Sequence, residues 1–157
     1  MTEIIIRKAT LNDVETLLSF EQGVIKAERP FDPTLKVDPV NYYDIEKMIT
    51  SENVELVVAA VNDKLIGSGY ARIEEAKIYL KHAQHAYLGF MYVLPEHRGK
   101  GVNKKIIDAL TEWSQSKNIS ELRLDVYNNN EAAIKAYEKV GFVKHMIEMR
   151  KEIKHLV

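Results

Sequence analysis

The stretch "VLPEHRGKGVNKKI", residues 93–106, gathers His97, Arg98, Lys100, Lys104 and Lys105 around Gly99 and Gly101, two of the chain's seven glycines. An apolar run ends at Leu94, Pro95 follows, and a helical pattern begins after the glycines, so the cluster sits where a strand hands over to a helix. The first four NH groups of a helix lack internal partners, and its positive dipole end favours anions. Glycines there remove Cβ atoms that would hold a ligand off, and basic side chains add positive charge. Residues 98–103 therefore read as a pyrophosphate cradle, with a solvated basic helix start behind an ordinary turn as the plainer alternative. The loop G-x-x-x-x-G-K-[ST] is absent, and the three-glycine dinucleotide fingerprint is not met. Gly67 and Gly69 make only a lone G-x-G, which reads as a strand bulge.

The elements that must position this cluster follow from periodicity. "EIIIRKA" (3–9) is a short strand, and Thr10 with Asp13 is an acidic capping box opening a first helix through Val14, Leu17, Leu18, Glu21, Val24 and Ile25. Three of the four prolines fall in "AERPFDPTLKVDP" (27–39), a loop. A second helix is expected after Asp38, with Pro39 in its first turn, through Tyr42, Ile45, Met48 and Ile49. "VELVVAAV" (54–61), "LIGSGYARIEE" (65–75) and "AYLGFMYVL" (86–94) read as three consecutive antiparallel strands. Val102, Ile106, Ala109, Leu110 and Trp113 form one face of a helix after the glycines. "ELRLDVY" (121–127) alternates as a strand, "NNNEAAIKAYEKVGF" (128–142) is a capped helix stopped by Gly141, and "VKHMIEMRKEI" (143–153) is a closing strand. The order is βααβββαβαβ, an α/β (α+β) chain read as one domain over 1–157.

Bulk properties narrow the class. With 157 residues, 46% apolar, 29% charged and no run approaching the roughly 18 apolar residues of a membrane helix, a soluble globular domain is expected. Zero Cys excludes disulfides and thiolate metal sites, and the N-terminus lacks a signal-peptide layout, so a cytoplasmic location is expected. A net charge of −1 argues against a nucleic-acid-binding surface. His82 and His85 stand i, i+3 in a polar turn without further ligands, so no metal is expected.

"RGKGVN" resembles the coenzyme A signature R/Q-x-x-G-x-G/A of the GCN5-related N-acetyltransferases (GNAT): Arg98 and Gly101 match, and Asn103 stands where Gly or Ala is usual. The second signature of that family, N-x-x-A-x-x-x-Y with a following G-F, is met by Asn130, Ala133, Tyr137, Gly141 and Phe142. Two motifs in the right order are more specific than either alone, and the element order suits the family over nearly the whole chain. The resemblance implies a mixed, mostly antiparallel sheet flanked by helices, with two central strands splayed apart. It implies acetyl-CoA as cosubstrate, no metal, and acetyl transfer to a primary amine of a small molecule or peptide by direct attack in a ternary complex. A non-catalytic acyl-CoA-binding sensor is the alternative. Nucleic acid and membrane are not expected partners, and a homodimer is one assembly open to the chain.

By the same resemblance the backbone of Met91, Tyr92 and Val93 bonds the pantetheine arm as an added strand would. Arg98, Gly99, Lys100, Gly101, Val102, Asn103 and Lys104 surround the pyrophosphate, and Asn130 and Ala133 lie beside the cofactor. Tyr137 is placed as general acid to the thiolate, against the plainer reading of a packed helix aromatic. No acid stands in "HAYLGFMY" (85–92), where related enzymes often carry the base. Glu74 and His85 are the candidates retained, with Tyr87, Glu21 and Glu28 behind them. The loop "KAERPFDPTLKVD" should receive the acceptor, with Glu28 and Phe31 as candidate contacts, while its mixed charge leaves the acceptor's sign open.

Overall fold

The computed structural model describes residues 2–154. They divide at Leu124/Asp125 into two compact units. In the first, β1 (Ile5–Lys8) leads through a 3-10 turn, Leu11–Asp13, into α1 (Val14–Glu28). The entry is pinned by Asp13, whose carboxylate accepts from Arg7 at 2.8 and 2.9 Å and from the Thr10 NH at 2.8 Å. The Arg7 guanidinium holds the Asp13 carboxyl below the usual range, against the opposing effect of its burial. A short α2 (Ile45–Thr50) follows, then β2 (Val54–Val61), β3 (Lys64–Glu75) and β4 (Gln84–Val93). After a 3-10 turn, Pro95–His97, come α3 (Val102–Ser116) and β5 (Leu122–Arg123).

The sheet runs β1-β2-β3-β4-β5, antiparallel except for the β4–β5 pair. One face is covered by α1 and α2: Leu17, Phe20, Ile45 and Ile49 are buried against Leu56, Val58, Tyr70 and Phe90. Helix α3 packs over β2 and β3 on the other. There a Cβ on Gly67 would stand 2.7 Å from the Tyr92 carbonyl oxygen and 3.3 Å from Ile106 Cδ1. The expected bulge is present beside Gly67: Ala59 pairs with Gly67 and Ala60 with Leu65, so β3 carries an extra residue there. A second irregularity lies on β4, where Ser68 pairs with Tyr92 and Tyr70 with Gly89, so β4 carries an extra residue, and Phe90 adopts φ 54°. Gly67 also serves close approach. Because the atom it meets is backbone, Gly67→Ala is expected to cost about 1–3 kcal/mol, the usual range for overpacking, read as a lower denaturant midpoint at unchanged slope.

Three expectations are corrected. The second helix begins at Ile45, capped by Asp44, whereas residues 38–44 are irregular and the Asp38–Pro39 bond is cis. The NH groups of Tyr42 and Tyr43 are taken by the Glu21 side chain rather than by a helical turn. The strand expected over 121–127 is a ladder of two pairs, Ala86 with Leu122 and Tyr87 with Arg123. The second unit contains α4 (Glu131–Lys139), and its residues 143–154 carry neither helix nor strand within it. A strand exists only through a partner's ladder, and the one regular element among the unit's described residues is a helix, so the closing strand expected over 143–153 does not form within it.

Candidate active site

The cradle forms where β4 ends. Leu94 donates its NH to the Ile66 carbonyl at 2.8 Å, the last backbone tie to β3, and Pro95–His97 turn the chain away. Gly99 and Gly101 take φ 75° and 81°, left-handed values that cost an L-residue about 1–2 kcal/mol. Gly101 is the N-cap of α3, a helix of 15 residues. A Cβ on Gly99 or Gly101 would meet nothing within 4 Å, so the space before both is open. A left-handed glycine pair, an open approach and the free NH groups of a helix's first turn fit a pyrophosphate.

The side chains around this turn divide by role. Lys100 and Lys105 are exposed, while Lys104 reaches Asp108 at 2.8 Å, an exposed i, i+4 pair. Arg98 donates from Nε to the Val93 carbonyl at 2.9 Å and sets its guanidinium 5.7 Å from the centre of the Tyr92 ring. Val102 is buried, so only its backbone is available to a ligand. Asn103 is half-buried on the first turn of α3.

The β4–β5 ladder stops at Tyr87 and Arg123 while β4 runs on to Val93. The ladder therefore covers one end of β4, and Met91, Tyr92 and Val93 lie beyond it. The bulge at Phe90 lies in this length beyond the β5 ladder, against β3, and bulges typically re-aim backbone groups. Tyr92 turns its ring onto α1, 5.1 Å from Phe20, and a Cβ on Gly23 would strike it at 2.7 Å.

Aromatic rings line the sheet beside the bulge. Tyr43 stacks on Phe90 at 4.6 Å and meets Tyr70 edge-on at 6.0 Å, while Tyr42 meets Tyr43 edge-on at 5.7 Å. Burial, then the neighbouring Tyr70 and Glu28, push the Tyr43 phenol well above its ordinary value. Glu28, at the end of α1, is half-buried, and burial followed by the nearby Asp32 raises its carboxyl above the usual range. The charge of Glu28 is felt at both Tyr42 and Tyr43, which places it in their neighbourhood. Phe31 follows in the next turn, its NH on the Glu28 carbonyl at 2.9 Å.

Glu74 and His85 are cross-strand partners, Oε1 to Nε2 at 3.3 Å, and the second Glu74 oxygen holds Arg72 at 2.6 Å. His85 lies five residues before Phe90 on β4, about 17 Å at the usual rise of a strand. His82 bonds Glu121 at 3.2 Å, so the two histidines have separate partners. Among the described residues no three potential ligands gather as a metal would require, and no helix is long and apolar enough to cross a membrane. Sequence reasoning missed Tyr42, Tyr43 and Tyr70, whose only signal was the density of tyrosine near the loop.

In the second unit Asn130 is the N-cap of α4, its Oδ1 accepting from the Ala133 NH at 3.2 Å. Tyr137 sits on the same helix, one turn beyond Ala133, and meets Phe142 edge-on at 5.8 Å. Burial raises the Tyr137 phenol above its ordinary value.

Comparison with known proteins bears on the whole arrangement. The model of the acetyltransferase (GNAT) family matches residues 21–142. An aminoglycoside N(6')-acetyltransferase type 1 of Salmonella enteritidis is 25% identical over 129 residues, 82% of this chain and 86% of that protein. A thialysine N-epsilon-acetyltransferase of Bos taurus is 40% identical over 58 residues, 37% of this chain and 34% of its own. The match spans 22% of the N-acetyltransferase YobR of Bacillus subtilis and 57% of N-alpha-acetyltransferase 30 of Schizosaccharomyces pombe, so this chain covers well under two thirds of either. Among solved structures, an acetyltransferase of Clostridium acetobutylicum with acetyl-CoA superposes at a TM-score of 0.76 and 20% identity, over 94% of this chain and 96% of that one. A Bacillus halodurans protein reaches a TM-score of 0.83 at 19% identity, over 96% and 99% of the two chains. With the family model matching more than three quarters of its length, on a fold shared with acetyltransferases, the chain belongs to the GNAT acetyltransferase family.

Proposed function

We propose that this chain is an acetyl-CoA-dependent N-acetyltransferase acting on a primary amine of a small molecule or peptide, with direct attack by the amine in a ternary complex. The observation that carries the reading is the turn of left-handed Gly99 and Gly101 into α3, at the end of a bulged strand whose parallel ladder stops short. The family match runs across the boundary between the two units, which supports counting the chain as one catalytic domain. Two similar solved proteins carry acetyl-CoA or CoA, which supports the cosubstrate. A cytoplasmic location belongs to the proposal.

Acetyl-CoA supplies an acetyl group already activated as a thioester. Backbone NH groups of Gly99 to Lys104 grip the pyrophosphate, with Lys100 and Lys105 adding charge. Met91, Tyr92 and Val93 offer main-chain groups to the pantetheine, and Arg98 leaves the Val93 carbonyl to do so. An NH beside the bulge polarises the thioester carbonyl. Glu28, with Phe31, receives the acceptor amine beside the Tyr42 and Tyr43 rings. An amine near its reference pKa of about 10.4 arrives protonated, and a carboxyl that binds protons more readily than usual is suited to take that proton. Glu74 and His85 are the other base candidates, reaching the amine through intervening groups. By the motif, Tyr137 donates a proton to the departing sulfur, and Asn130 and Ala133 flank the cofactor.

The test follows free thiol while the protein is incubated with acetyl-CoA and a panel of polyamines, aminoglycosides and lysine-containing peptides. Thiol release above hydrolysis with at least one amine is expected. Tight acetyl-CoA binding with no release across the panel would establish the sensor instead.

A further inference from the structure

The segment between α1 and α2 has little backbone structure of its own. Over residues 36–43 the described ties run to side chains of α1 and of Arg29, its C-cap: Gln22 Nε2 donates to the Val40 carbonyl at 2.9 Å, and Arg29 donates to the Lys36 carbonyl at 2.9 Å and to Asp38 at 2.7 Å. Glu21 accepts from the Tyr42 and Tyr43 NH groups at 2.9 and 2.7 Å, both on Oε2. Gln22 is exposed and Arg29 is partly so, whereas Glu21 has no exposed surface. Its Oε1 is buried without a hydrogen-bond partner.

A buried carboxylate with one oxygen accepting two hydrogen bonds and the other none is a costly way to hold two NH groups, because a buried polar atom without a partner forfeits its hydration. The two NH groups it holds belong to residues whose rings flank the bulge, Tyr43 being stacked on Phe90. No comparable tie runs from Glu21 to the glycine turn. We propose that Glu21 is the positioning residue of the acceptor site: by clamping the backbone of Tyr42 and Tyr43 it fixes the aromatic wall past which the amine approaches. This rests on the acetyltransferase reading above and adds to it the residue that shapes the acceptor side.

The clamp predicts a division of effects. In Glu21→Gln one oxygen still meets the NH groups, now without the strength a charged acceptor gives. With acetyl-CoA and the best amine of the panel, the acceptor KM should rise about 5- to 20-fold, while kcat and the acetyl-CoA Kd stay within about twofold. Hydrogen exchange should quicken at residues 42 and 43 and stay unchanged in α3. If the acceptor KM does not move, or acceptor KM and acetyl-CoA Kd worsen together, Glu21 does not position the acceptor. Should Gln at 21 lower the melting point too far, the same division is read in Glu21→Asp, whose carboxylate stops one methylene short. A wild-type protein that acetylates no amine defeats the enzymatic reading itself. Exchange at 42 and 43 then still decides the clamp, and unaltered rates there in the variant overturn it.

Discussion

Gly101→Asp is expected to abolish the proposed acetyl-CoA binding while leaving a folded protein. Gly101 has φ 81°, and a Cβ there meets nothing within 4 Å, so the variant bears strain of about 1–2 kcal/mol and no clash. The new carboxylate faces the open side of the turn, where the proposed pyrophosphate would be gripped. Like charges a few ångström apart at an effective dielectric near 20 repel by about 3 kcal/mol, or about 100-fold in affinity. Calorimetry on the pure variant should detect no heat of association where the wild type binds, with the circular dichroism spectrum retained. Gly101→Ala separates the two causes: it keeps the strain without the charge, so it should lower stability by about 1–2 kcal/mol and weaken binding far less than Gly101→Asp. A Gly101→Asp protein that binds acetyl-CoA as tightly as wild type would remove the cradle, and with it the catalytic reading.

Tyr137→Phe comes next in size. Turnover should fall by about 10- to 100-fold, up to the lower end of the roughly 100- to 10,000-fold that a positioned general acid supplies, with acetyl-CoA affinity within about twofold. Burial raises the Tyr137 phenol, so it keeps its proton across the neutral range, as a donor must. The proton-poor limb of the pH–rate profile should therefore lie above the ordinary tyrosine value in the wild type and disappear in the variant. Pre-steady-state measurement of thiol release is the appropriate check, because slow product release would otherwise conceal the chemical step. Unchanged single-turnover rates would return Tyr137 to the packing role its contact with Phe142 also satisfies.

Legibility in the sequence followed the range of the forces involved. β2 was readable to the residue at 54–61, because a buried apolar run between a polar stretch and a tight turn is a local signal. The glycine turn and the start of α3 were readable for the same reason: left-handed glycines and an amphipathic face both lie within a few residues. The start of α2 was not. Pro39 and the periodicity of Tyr42 and Ile45 favour a helix, but a carboxylate 21 residues upstream takes the NH groups such a helix would use. Nor could "YLGFMYV" disclose which residue bulges, since Phe90 at φ 54° is sustained by its stacking on Tyr43 and not by any turn chemistry. The acceptor side was the least legible part, because Glu21, Glu28, Tyr43 and Tyr70 meet only once α1 lies across the sheet.

The extra residue in β4 also reverses the strand's parity. Up to the irregularity, odd positions such as Tyr87 look toward α1 and α2; beyond it the even ones, Phe90, Tyr92 and Leu94, do so. Removing one residue from 89–91 would restore an unbroken alternation and, because four positions would then separate Tyr87 from Tyr92, leave Tyr92 and Leu94 on the side of α1, whereas ironing the bulge out at constant length would rotate both to the side of α3. A regular strand one residue shorter would thus present the same outer half, and what the extra residue adds is the left-handed main chain at Phe90, not the facing of Tyr92.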